Sequence, residues 1–142
     1  MNTIRKYKTL LILPVSLTAV LFMSSAGMKE QQKPEWVAPS WADTIKNPLK
    51  GKADAVALGK KTYTTYCVAC HGDKGKGDGI AAGGLNPRPA NHTTDKFQKQ
   101  SDGAIFWKLT SGRPPMAAYE KMLTVQQRWQ LVDYMRTLKA SK

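Results

Sequence analysis

Three of the chain's few soft and imidazole donors fall in one run, Cys67-Val68-Ala69-Cys70-His71, which holds both cysteines and one of the two histidines. Thiols at i and i+3 stand about one helical turn apart. Each can therefore bond to one of the two vinyl groups along a haem edge. The histidine after the second thiol is then held beneath the iron, where imidazole is a good axial ligand. This spacing reads as covalent haem c attachment. The blander readings are a redox dithiol, half of a zinc site, or chance. Zinc wants about four ligands, and there is no second cysteine pair. A thioredoxin-like dithiol wants a βαβ setting, for which the sequence has no pattern.

A second axial donor is sought further along. Met116 lies in Ser111-Gly112-Arg113-Pro114-Pro115-Met116-Ala117-Ala118-Tyr119, a loop stiffened by two prolines. A core methionine is usually filler, whereas one on a rigid loop suits a thioether ligand. Met122 and His92 compete with it. His92 sits in the polar loop Asn91-His92-Thr93-Thr94 and is expected to be exposed. A ligating histidine generally donates its other ring N–H to a backbone carbonyl. The extended segment Leu85-Asn86-Pro87-Arg88-Pro89 is the candidate source, with Pro87 ahead of Pro89. Arg88 can pair with a haem propionate or, as a lone loop arginine, be solvated. Trp107 can reach a propionate with its indole N–H or belong to the core.

These residues need scaffolding. A first helix is expected from Ala55 to Tyr66, with Asp54 as N-cap and Val56, Gly59 and Tyr63 on one side. Glycine inside a helix costs about 1 kcal/mol relative to alanine, so Gly59 implies the close approach of another helix. The glycine-rich stretch from Gly72 to Gly84 is a turn-dense loop. It lacks the preceding strand and the Gly-Lys-Ser/Thr ending of a phosphate cradle. A short helix runs from Asp102 to Thr110, capped by Ser101 and ended by Gly112. The last helix opens with a capping box, Thr124-Val125-Gln126-Gln127. Its stripe is Val125, Trp129, Val132 and Met135, widened by Leu131, Tyr134 and Leu138. Trp129 or Tyr134 would fill the space over Gly59. No period-2 strand is evident, so the class is all-α.

The N-terminus has the form of an export signal: basic Arg5-Lys6-Tyr7-Lys8, an apolar run from Leu10 to Met23, then small Ser24-Ser25-Ala26. Residues 1–26 read as a signal peptide cleaved after Ala26. The alternative is an N-terminal membrane anchor, since Thr9 to Met28 is uncharged and, at about 20 residues, long enough to span a bilayer. Residues 27–52 form a proline-containing arm whose Trp36, Trp41 and Ile45 should lie against the body or against a partner. The domain proper is 53–142. The formal net charge of +12 suits acidic partner proteins or anionic surfaces. The lysines are scattered and no nucleic-acid motif accompanies them.

Together these residues resemble a class I c-type cytochrome of the bacterial monohaem kind. The resemblance rests on Gly59-x-x-x-Tyr63 before Cys67-x-x-Cys70-His71-Gly72, the Gly75-x-Gly77-Asp78-Gly79 loop, Pro87, the Pro-Met loop at Met116, and the Trp129/Tyr134 helix. It implies a cytochrome c fold with N- and C-terminal helices crossing near Gly59, and short helices and long loops wrapping one haem. It also implies one haem c on Cys67 and Cys70 with His71 and Met116 as axial ligands. The expected activity is one-electron transfer in an extracytoplasmic respiratory chain, as a periplasmic carrier or as the cytochrome subunit of a membrane oxidoreductase. The expected partners are redox proteins, acidic at the docking face, with no nucleic acid and no small-molecule substrate. The alternative is a haem enzyme or gas sensor with a labile sixth ligand. The family often has Met-Pro where this chain has Pro114-Pro115-Met116, and the arm falls outside the family's core.

Overall fold

The computed structural model describes residues 34–140. The leader or anchor read at 1–26 and the start of the arm lie outside the described residues. Among the described residues five α-helices follow one another: α1 (Ala53–Tyr66), α2 (Val68–His71), α3 (Asp95–Gln98), α4 (Asp102–Ser111) and α5 (Val125–Thr137). Short 3₁₀ turns lie at Ser40–Thr44 and Ala82–Gly84. Among the described residues the only extended pairing is an isolated bridge between Arg113 and Met116. The fold is all-α, as expected. No helix among the described residues is long and apolar enough to cross a membrane.

The crossing of α1 and α5 is the framework. At Gly59 an added Cβ would stand 1.9 Å from the Gln130 carbonyl oxygen and 3.0 Å from the Tyr134 Cβ. Glycine there lets the two backbones touch. Tyr134, not Trp129, lies over it, while Trp129 stacks on Phe106 with ring centroids 4.0 Å apart. Tyr63, Leu131 and Val132 are the largest fully buried side chains, each worth about 1.5–3 kcal/mol of burial for its apolar part.

Local signals set most helix ends. Ser101 accepts from the Ala104 N–H at the start of α4, and Thr124 and Gln127 form the reciprocal capping box of α5. Two expectations fail at helix starts. Helix α1 begins at Ala53, with Lys52 as N-cap and no side-chain capping bond, so Asp54 lies in the first turn, where its charge suits the helix dipole. Val125 is exposed because the first turn of α5 projects past its neighbours. Helix α3, too short to show a period in the sequence, is a single turn capped by the Thr94 side chain.

The arm packs on the helical body. Ala42 is fully buried, and its carbonyl oxygen would lie 2.0 Å from a Cβ on Gly103 in α4. Asn47 Nδ2 donates to Asp133 Oδ1 of α5 at 2.8 Å. Ile45 is half-buried as expected. Trp41 is 57% exposed and so is not seated on the body, the first of the two expectations for it, because the 3₁₀ turn presents Ala42 inward instead.

Candidate functional site

Helix α1 passes directly into α2. The Cys67 N–H donates to Tyr63 O at 2.8 Å, and the His71 N–H to Cys67 O at 2.8 Å. The carbonyls at the end of this helical turn would otherwise lack partners. The glycine loop supplies them: Gly77 N–H donates to His71 O, Gly79 N–H to Cys70 O and Ala81 N–H to Ala69 O, at 2.8–3.2 Å. The loop is thus the cap that fixes the cysteine–histidine turn.

Cys67, Cys70, His71 and Met116 all line one cavity of about 530 Å³, walled mainly by apolar side chains such as Leu85, Phe97, Ile105 and Leu109. Both cysteines are unpaired. Cys67 is buried, and burial first, then the neighbouring Cys70, pushes its thiol up to about 12. His71 Nδ1 lies 2.9 Å from the Ala90 carbonyl oxygen. A carbonyl only accepts, so Nδ1 is the donor and the lone pair sits on Nε2. Burial lowers the His71 pKa, against an opposing push from the Ala90 bond. A neutral imidazole of fixed tautomer is the form that binds a metal.

The acceptor is therefore Ala90 and not the expected Pro87. Pro87 still lines the cavity, as do Pro89 and Ala90, but it is the Ala90 carbonyl that reaches Nδ1. His92 is the larger correction. It is buried at 5% exposure, and its ring stacks on His71 with centroids 4.2 Å apart and planes 24° off parallel. Phe97 covers it at 4.5 Å, and its Nδ1 meets the Tyr63 hydroxyl at 3.3 Å. Rings stacked this closely leave no room for a macrocycle between them, so His92 is not the opposite axial ligand. Burial holds it well below the usual histidine pKa, with His71 adding to the effect. Its neighbours in sequence are polar, which is why it reads as exposed; the signal for burial is tertiary.

Of the methionine candidates, Met116 lines the cavity, whereas Met122 is 54% exposed and does not. The loop places Met116 through two backbone hydrogen bonds with Arg113, 2.8 and 3.0 Å. Arg88 is exposed at the cavity wall, where Lys96, Lys108 and Arg113 join it. Trp107 does not line the cavity. Its place is taken by Trp36 of the arm, which packs against it at 6.3 Å and does line it, beside Glu35. In the sequence Trp36 stands out as a large apolar residue, with no signal for where the arm lies.

The donor set fits a haem: two thiols at attachment spacing, an imidazole with its lone pair fixed on Nε2, a thioether, apolar walls, and a cationic edge suited to carboxylates. The sequence profile described as Cytochrome c matches residues 56–139. No curated protein matches the chain. Among solved structures, a chain of the Kuenenia stuttgartiensis reducing HAO-like protein complex Kustc0457/Kustc0458 is 30% identical with a TM-score of 0.59. That likeness covers 66% of this chain and 47% of the other, so this chain spans about half the length of that relative. The KustC0563 c-type cytochrome is also 30% identical, with a TM-score of 0.51, over 58% of this chain and 98% of its own.

Proposed function

The chain belongs to the cytochrome c family, and from that premise we propose that it carries one haem c and passes single electrons outside the cytoplasm in a respiratory chain. Cys67 and Cys70 would hold the group covalently, and His71 and Met116 would be its iron ligands. The haem supplies a one-electron iron couple; the protein supplies its setting. With both His71 and Met116 bound to the iron, no position would be left for a substrate, and the group would supply outer-sphere electron transfer.

The observation that carries this reading is the convergence of Cys67, Cys70, His71 and Met116 on one cavity. The Ala90 carbonyl keeps His71 in the donor tautomer. The apolar walls would pack against the macrocycle. The excess of positive charge favours a partner acidic at its docking face. The likeness to a chain of a multi-protein complex lends support to the form in which this protein is a subunit of a larger oxidoreductase. The basic and apolar start of the sequence supports the extracytoplasmic placement.

A pyridine haemochrome spectrum with an intact mass tests the reading. One haem c per chain and a low-spin spectrum with the long-wavelength sulfur-to-iron band are expected. A high-spin ferric spectrum with rapid cyanide binding would instead indicate an open sixth position.

A further inference from the structure

The arm precedes the residues matched by the family profile, yet it reaches the loop that holds the proposed thioether ligand. Arg113 is the link. Its Nη1 donates to the Pro34 carbonyl oxygen at 2.9 Å. Its guanidinium lies over the Trp36 ring at 5.5 Å. Its own backbone makes both hydrogen bonds to Met116. Trp36 is held from further sides by Lys108, 5.7 Å from the ring centroid, and by Trp107 of α4. Glu35 pairs with Lys96 of α3 at 2.9 Å, although both ends of that pair are well exposed and screened.

We propose that the arm segment Pro34–Trp36 is a strap that positions Met116 by immobilising Arg113, and so holds the sixth ligand in place. Met116 sits on a loop whose Pro114, Pro115, Ala117 and Ala118 are exposed. After Met116 the loop is tied down by the Tyr119 N–H to Leu109 O bond at 2.9 Å, but before it the link to the body runs through Arg113. A backbone pair to Arg113 fixes Met116 only as well as Arg113 is itself fixed. The arm supplies that anchor from 79 residues away in sequence. Trp36 and Arg113 are thus positioning residues. The proposal rests on Met116 being the axial ligand.

The test uses ferric holoprotein and the stopped-flow rate at which added imidazole displaces the thioether, read from loss of the sulfur-to-iron band. Trp36→Ala and Arg113→Ala should exchange several-fold faster than wild type. Trp36→Phe, which keeps a flat ring under the guanidinium, should restore most of the wild-type rate. Trp41→Ala, on the exposed side of the arm and away from the cavity, should leave it unchanged. Val132→Ala, in the core of α5, controls for general loosening. Wild-type rates in Trp36→Ala and Arg113→Ala would overturn the strap. So would a Val132→Ala rate raised as much at equal loss of stability. A wild-type holoprotein with no sulfur-to-iron band would instead refute the Met116 assignment, and the strap with it.

Discussion

The two sides of the cofactor cavity are built differently. On the His71 side the donor sits on a helical turn whose carbonyls are capped, its Nδ1 bonds to Ala90 O, and a buried histidine backs it. Behind that histidine stand Phe97 and Tyr63. On the Met116 side the donor sits on a half-buried loop position that packs against the core. It is held by a backbone pair with Arg113, itself anchored by contacts from far away in sequence. His71 is fixed by contiguous packing, while the seat of Met116 also depends on contacts from far away in sequence. Of the two proposed ligands, the thioether is the one expected to be labile.

Removing each ligand gives the largest contrast. His71→Ala should abolish the low-spin spectrum and sharply lower the yield of holoprotein, because the donor and its packing go together. Met116→Ala should keep covalent haem, turn high-spin, and bind cyanide or carbon monoxide readily. Met122→Ala should resemble wild type. A low-spin, cyanide-inert Met116→Ala spectrum would move the sixth ligand elsewhere.

The His71 side can also be loosened from beneath. Gly59→Ala forces a methyl into the Gln130 carbonyl, and the backbones of α1 and α5 must part. A loss of about 2 kcal/mol is expected, the overpacking cost net of alanine's better helix propensity. A urea midpoint equal to wild type would show that the crossing tolerates separation. His92→Ala opens a gap behind the axial ring and should cost about 2 kcal/mol by the same measurement. His92→Phe keeps a face against His71 and loses only the Tyr63 contact, so about 1 kcal/mol is expected. If the two His92 variants lose equal stability, the stacking contributes nothing.

The same asymmetry explains what was legible in the sequence. The attachment motif, the capping box at Thr124 and the close approach at Gly59 are local in the chain or periodic along one helix, and each stands where the residues placed it. The donor to Ala90, the burial of His92 and the seat of Trp36 are set by contacts across 19 to 79 residues. Nothing in neighbouring residues announces such contacts. His92 misleads because asparagine and threonines flank it, although the Gly75 carbonyl and the Gln98 side chain hold its backbone inside. The prolines mark the loop that brings Met116 to the cavity, while nothing in the sequence marks the arm residues that bond to Arg113.

The smallest effect concerns the arm's other anchor. Asp133 on α5 is buried; its Oδ1 accepts from Asn47 of the arm, while its Oδ2 has no hydrogen-bond partner. Burial holds this carboxyl above its ordinary value of 3.8, against the Asn47 bond, which lowers it, and Asp102 adds to the rise. The folded chain therefore keeps the proton more tightly than the unfolded chain. That contribution to stability is full below the ordinary value and is lost as pH rises through the folded value. Asp133→Asn keeps an acceptor for Asn47 and removes the titration. Its urea midpoint should be flatter than that of wild type as pH rises from about 4. At neutral pH it should match or exceed wild type, by about 1 kcal/mol at most. Midpoints that run parallel across that range would mean that the carboxylate ionises in the folded chain without cost, and that the arm's bond to α5 is strongest with Asp133 charged.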